Sequence, residues 1–452
     1  KLHRKLGSIA DEYYPIFKLQ IFSKTLVFVR HPEDIKTILT SRANINKSSH
    51  YDLIKFVNDN DGINVSVGDK WRLRRKLVTP AFSLNALKTD AKIIKKHGEG
   101  FVKYLKTHED TCIHEAIPLM SKLNLDIVCE TTMGVNINEC GIEGEANFRE
   151  GADFYAEMPL YRAARPYIRD WMVKFIPIGW KRTRLMKKYN AFLNEIIEKR
   201  RALLQHNEYA PSNNYANGEG STSGDTNGVC PIDILLRGER EGSIDSQGVH
   251  EEAESLIFAG FKTAALTMAY TLLLLAENES IQELARNEVV KVFGDSGGHL
   301  ELSKLKELEY LERCIKETLR MFPAIPRIGR RLGEETKLSD YVLPAGSEVL
   351  ILIDAVHRDP KFWPNPDEYD PDRFLPENGE FRHSHCYLPF SSGSRICLGY
   401  KYAMLTMKII LSMILNEYRL EPVMSVKDLD FEFGLDLKPR NPIHVRFIKI
   451  NS

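Results

Sequence analysis

FSSGSRICLG, from Phe390 to Gly399, is a glycine-punctuated loop that feeds straight into an apolar, helix-forming run beginning at about Leu398. Gly393 permits a tight turn, and Gly399 permits close approach of the backbone to something bulky. Cys397 lies at the start of that helix, where free N–H groups and the positive dipole end favour a thiolate. A thiolate so placed is a good iron ligand, and its electron push favours O–O cleavage. Most lone cysteines are small buried hydrophobes. Phe390, Gly393, Arg395 and Cys397 at fixed offsets in one short string set this one apart.

The rest of the composition narrows the classes. The chain has 452 residues, 43% hydrophobic and 27% charged, an ordinary balance for a globular protein. Lys plus Arg and Asp plus Glu both number 62, so no global field draws the chain to nucleic acid. The 7 cysteines are odd in number and form no CxxC pair. That pattern speaks against a disulfide framework or a zinc site and for a reducing compartment.

Periodicity gives a mostly α chain with a minor β part and no parallel βαβ repeat. Ile16 to Val29 alternates as a hairpin, and a helix follows at Pro32. Helical patterns then run to about Gln205, with breaks expected near Pro118, Pro159, Pro166 and Pro177. Residues 207–228, rich in Asn, Ser, Gly and Thr, read as a flexible surface insert within one domain spanning 1–452. Ser255 to Ala276 is long enough to span a bilayer. Lys262 inside it would cost ~2.5–3.5 kcal/mol there, so a buried core helix is expected. Asn278 is a candidate N-cap for the next helix. Another helix should begin near Ser303, carry a stripe from Leu305 to Phe322, and end at Pro323. Leu435–Leu437 and Ile443–Phe447 read as a terminal hairpin. The chain starts at Lys1 with no apolar leader, so an N-terminal membrane anchor is expected to be missing.

The FxxGxxxCxG string resembles the haem-binding loop of the cytochrome P450 superfamily. The resemblance implies that superfamily's fold, mostly α with small β sheets. It also implies haem b, non-covalent apart from a Cys397–iron bond, with O2 as co-substrate. Lys316-to-Arg320 (KETLR) resembles the family's ExxR, and Arg373 in PDRF its later partner, so Glu317, Arg320 and Arg373 should form a buried network beneath the loop. Trp71 and Arg75 resemble a WxxxR that binds haem propionates, joined by Arg395 and Arg330 as further propionate candidates. Phe390, Gly393 and Gly399 would shape the cofactor pocket.

AGFKTA, Ala259 to Ala264, resembles the family's oxygen-binding signature. Gly260 would open a groove for the gas, and Thr263 would assist oxygen activation. Lys262 stands where the family has an acid, and could be neutralised by burial, pair with an acid elsewhere, or reroute a proton relay through water. Phe258, Phe261 and the terminal hairpin should line an apolar substrate pocket.

WRLRRKLVTPAF (Trp71 to Phe82), LDIVCETTMG (Leu125 to Gly134), RMFPAIPRIGRRL (Arg320 to Leu332) and DPDRFLPEN (Asp370 to Asn378) are similar to insect microsomal members related to fatty-acid ω-hydroxylases. Ala259 replaces a glutamate that esterifies haem in several of those. The resemblance thus implies a monooxygenase acting on a fatty-acid-like molecule, hormone, odorant or xenobiotic. Electrons would come from NADPH through NADPH-cytochrome P450 reductase, with cytochrome b5 as a further partner. The setting would be the cytoplasmic face of the endoplasmic reticulum membrane, with Arg382, Lys401 and Lys408 in a reductase-docking patch. The alternatives, suggested by Lys262 and Ala264, are a haem-thiolate isomerase or dehydratase, or a non-catalytic haem-containing ligand binder.

Overall fold

A helix that is apolar on every side is stable only inside a protein, and this chain is assembled round one. In the computed structural model the central helix spans Ser246–Glu277 and starts where the Asp245 side chain accepts the Gly248 N–H. Its most apolar window is 78% buried, as expected of a core helix. The structure describes residues 2–21, 24–107, 112–165, 167–168, 170–209, 230–295, 300–379, 382–432 and 434–450.

The helix Ala116–Met133 lies along the central helix, and helices Glu309–Met321 and Tyr400–Glu417 pack on it as well. Gly260 makes the first of these contacts possible, since a Cβ there would meet Val128 at 3.2 Å. Asn124 Nδ2 then donates to the carbonyls of Gly260 and Phe261 at 3.0 and 2.6 Å. The wall helix Glu145–Ala163 pairs with the long helix Pro177–Tyr209.

Nine short strands are present among the described residues: β1 (Ile16–Ile21), β2 (Lys24–Val29), β3 (Ile113–Glu115), β4 (Arg327–Arg331), β5 (Thr336–Lys337), β6 (Val342–Leu343), β7 (Glu348–Leu352), β8 (Tyr418–Pro422) and β9 (His444–Lys449). They form sheets of order β1-β2-β7-β4, β3-β9-β8 and β5-β6. The expected hairpin is β1–β2, with Ile16 opposite Val29. β2 also runs parallel to β7, Phe28 opposite Leu350.

Several elements differ from the sequence reading. Among the described residues Leu435–Leu437 and Ile443–Phe447 do not pair as a hairpin: β9 pairs with β8, Phe447 opposite Leu420, and Leu435–Leu437 runs as a loop whose Leu437 N–H donates to Ala324. Alternation around two prolines did not specify the partner strand. Pro159 sits inside the wall helix, and Pro118 lies in the first turn of its helix, where a missing N–H is harmless. Pro166 lies outside the described residues. The helix before the expected insert continues to Tyr209, and 210–229 lie outside the described residues. The helix expected from Ser303 is a 3-10 turn, Leu302–Glu307, followed by Glu309–Met321. Asn278 does occupy an N-cap position, but its Nδ2 donates back to Leu274 of the preceding helix.

Candidate active site

The cysteine loop is fixed from both sides. Gly393 has φ 69°, and a Cβ on it would lie 2.0 Å from the Leu39 carbonyl, so no other residue fits. Ser391 also adopts a left-handed φ of 62°, which the sequence did not signal. The Cys397 N–H donates to Phe390 at 2.9 Å, and Arg75 Nη1 donates to the Ile396 carbonyl at 3.1 Å. The following helix begins at Tyr400 with Gly399 as N-cap, slightly later than expected. Gly399 is not crowded by protein, a Cβ there meeting only Phe82 at 3.8 Å.

Cys397 is open to a cavity of about 330 Å³ and walled by protein on its other sides. Burial pushes its thiol up, against the Gly399 N–H and the positive charges of Arg75 and Lys47. The thiolate expected from the helix dipole is therefore not favoured by the protein alone; burial outweighs a helix start that lies three residues on.

Beside the cysteine stands a group of cations with no carboxylate partner among the described residues. Arg395 stacks over Trp71 at 4.0 Å and donates to Ile45 (3.1 Å) and Ser66 (2.8 Å). Its Nη1 is buried without a hydrogen-bond partner. Burial, then Arg330, push Arg395 down to about 9. Lys47 is pushed down by burial, Arg330 and Arg395. Arg330 is 2% exposed on β4, and its guanidinium donates to the carbonyl of its neighbour Gly329. Among the described residues no carboxylate acts on Lys47, Arg75, Arg330 or Arg395. Such a cluster is costly unless an anion joins it. Lys47 was missed in the sequence because a lone lysine in a polar stretch carries no motif.

The opposite side of the cavity is the central helix. Phe258, Ala259, Gly260, Thr263, Ala264 and Thr267 line it. Thr263 Oγ1 donates to the Ala259 carbonyl at 2.8 Å, and Thr267 Oγ1 to the Thr263 carbonyl at 3.0 Å. Two expected residues are elsewhere. Phe261 is 2% exposed and packs 5.7 Å from Phe148, not in the cavity. Lys262 also points away, its Nζ 2.8 Å from Asp153 and 3.0 Å from Asp436. A catalytic place for Lys262 is thereby corrected: helical geometry turns it off the face shared by Ala259 and Thr263. The terminal segment reaches the cavity through the loop residue Leu435 rather than a hairpin.

Beneath the loop, Glu317 and Arg320 are fully buried and Arg373 is 8% exposed. Glu317 Oε1 accepts from Arg373 Nε at 3.2 Å and from the Asp370 N–H at 3.1 Å. Arg320 Nη1 donates to the His357 carbonyl, and His357 Nε2 accepts the Leu388 N–H at 2.7 Å, just ahead of the cysteine loop. Of the basic residues expected on the cysteine side, Lys408 is 7% exposed and bound to Glu312 at 2.9 Å, and Arg382 lies over Trp363 at 4.1 Å. Lys408 is therefore not a free surface charge, whereas Arg382 is half-buried and Lys401 exposed, neither with an ion pair among the described residues.

The residues present fit haem: a cysteine sulfur open to an apolar cavity, with unneutralised cations placed for two carboxylates. Fold and site together define an enzyme that holds an anionic prosthetic group in its core. A family model for cytochrome P450 matches residues 1–447. The human protein named cytochrome P450 4V2 is 32% identical over 449 residues, covering 98% of this chain and 84% of that protein. From Drosophila melanogaster, probable cytochrome P450 4ac1 is 34% identical over 425 residues (93% and 80%), and cytochrome P450 4p1 31% over 452 (99% and 85%). The chain belongs to the cytochrome P450 family, and so is a monooxygenase that uses haem b with a cysteine–iron bond and takes O2 as co-substrate.

Proposed function

We propose that this enzyme inserts one oxygen atom into a small apolar substrate held between the central helix and Cys397. The carrying observation is that Cys397 and Thr263 face one cavity from opposite sides, with mostly apolar side chains between them. Cys397 serves as the axial ligand, and Lys47, Arg75, Arg330 and Arg395, with Trp71 beneath the last, bind the propionates. When bound, haem held through a thiolate supplies the activation of O2. Glu317, Arg320 and Arg373 hold the platform under the loop.

The protein's own contribution on the distal side is proton handling and exclusion of water. Thr263 Oγ1 already spends its proton on Ala259, so its lone pairs are left to accept from a water in the cavity. Gly260 lines the cavity and lets the central helix approach Val128 closely. Lys262 takes no part, which removes the main reason to prefer an isomerase, a dehydratase or a non-catalytic binder. Electrons come from NADPH through NADPH-cytochrome P450 reductase, with cytochrome b5 as a second donor.

The substrate is fatty-acid-like, a hormone, an odorant or a xenobiotic, and the enzyme works at the endoplasmic reticulum membrane, on its cytoplasmic face. Support for a membrane setting comes from Tyr167, Trp171, Phe175 and Trp180, exposed by 62–72% in the short stretch after the wall helix. Tyr and Trp beside Lys174 and Lys181 are what a bilayer interface favours. The test is the spectrum of the reduced, carbon-monoxide-bound protein, followed by reductase-driven turnover. A thiolate-type Soret band with oxygenated product is expected. A folded, haem-loaded, fully reduced protein without that band would overturn the reading.

A further inference from the structure

We propose that Lys262 is a positioning residue that ties two walls of the substrate cavity to the central helix and thereby sets which substrates fit. The inference rests on the reading of the cavity as the substrate site. Lys262 is 6% exposed and reaches two carboxylates from two different elements. Asp153 belongs to the wall helix and Asp436 to the loop before β9. Each acid is close in sequence to a cavity-lining side chain. Tyr155, two residues from Asp153, sits against Phe258 with ring centroids 4.7 Å apart. Leu435, adjacent to Asp436, lines the cavity near Ala324, which accepts the Leu437 N–H at 2.9 Å.

The wall helix and this loop are also linked by Lys438, 3.1 Å from Asp153 and 3.6 Å from Glu157, but those pairs do not touch the central helix. Lys262 joins both to the helix carrying Thr263, whereas Tyr270 of that helix, donating to the Leu437 carbonyl, holds the loop alone. Burial works against its charge, yet Asp436 and Asp153 together hold its pKa above the ordinary lysine range, so it stays an ammonium. Removing it leaves Asp436, also 6% exposed, buried without its cation. The loop must then shift to hydrate that carboxylate, and Leu435 shifts with it. A lysine at this position therefore shapes the cavity from behind instead of acting inside it.

The test uses the haem-loaded full chain and measures optical binding of imidazole and of n-alkylimidazoles of increasing length. Lys262→Met and Asp436→Asn should bind imidazole as the parent does, while affinity for the longest ligand changes by about tenfold. Lys262→Arg, which can keep both ion pairs, should restore the parent's chain-length profile. Unchanged profiles in Lys262→Met and Asp436→Asn would overturn the proposal. So would a parallel loss for imidazole itself, which would mark general damage to the haem site. Should Lys262→Met fail to accumulate, Asp153→Asn, at a half-exposed carboxylate, should show the same change for the longest ligand, and an unchanged profile there would overturn the proposal equally. A parent protein that gives no optical response to any imidazole would refute the cavity reading instead.

Discussion

Arg320 grips Glu317 with two parallel hydrogen bonds, Nε to Oε2 at 2.7 Å and Nη2 to Oε1 at 2.8 Å, neither side chain having any solvent exposure. The same guanidinium holds the His357 carbonyl, and His357 holds Leu388, so the pair reaches the cysteine loop through one intermediary. Removing one partner strands a charge in the core. Glu317→Ala or Arg320→Ala should each destabilise the protein by about 3–5 kcal/mol, and Arg320→Lys cannot replace the two-pronged contact. Urea denaturation followed at the Soret band checks this. A loss under about 1 kcal/mol would place the pair among weak surface bridges.

Cys397→Ser should keep the helical fold while losing the thiolate-type band of the reduced carbon monoxide complex, because the serine oxygen is not an equivalent soft ligand. Circular dichroism and the carbon monoxide spectrum, read side by side, separate ligand loss from unfolding. A wild-type band in the variant would move the ligand to another cysteine.

Burial first, then the charges of Arg330 and Arg395, work against the ammonium of Lys47, a cost that a bound anion would relieve. Lys47→Gln should speed haem loss to an apo-globin acceptor by about tenfold, the equivalent of one charge-assisted bond. Identical rates in variant and parent would show that Lys47 makes no propionate contact.

Thr263→Ala removes a hydroxyl that the central helix presents to the cavity. Product formation should fall by about a hundredfold while NADPH consumption continues. Measuring both in one assay is decisive, since a parallel fall of the two would indicate poor substrate or reductase binding.

Glu254, 1% exposed, is pushed up to about 7, by burial first, with Asn60 opposing. Its ordinary value is near 4.5, so between these values the folded protein holds a proton that the unfolded chain has lost. The stability it contributes is therefore present below about 4.5 and lost as pH rises through 7, on the order of 1–3 kcal/mol. Thermal midpoints from pH 5 to 8 should fall less in Glu254→Gln than in the parent. Glu252, likewise pushed up to about 7, keeps part of the slope in both. Equal slopes would show that Glu254 does not titrate in this window.

Much of this was legible in the sequence where one local pattern determines structure. The alternation of Ile16 to Val29 specified its own hairpin, and the stripe from Leu305 to Phe322 specified a buried face. The spacing of Glu317 and Arg320 placed both on one helical turn. What failed depended on distant partners. The strand ending at Lys449 chose Tyr418–Pro422, which no local pattern encodes. Phe261 and Lys262 were placed at the site by their positions in the AGFKTA string, with an acid elsewhere as one option for Lys262. Successive helical residues point about a hundred degrees apart, and the acid pair is what forms. Asp153 and Asp436, which give Lys262 its purpose, lie over a hundred residues to either side of it.

The seating of Gly393 on Leu39, and of β2 beside β7, has a consequence for biosynthesis. A ribosome delivers the N-terminal half first, and it waits with its edge unpaired until Glu348–Leu352 has emerged. Cys397 follows later still, and its loop takes shape only against a surface already formed by Leu39. Haem capture is thus one of the last events in the maturation of the newborn chain.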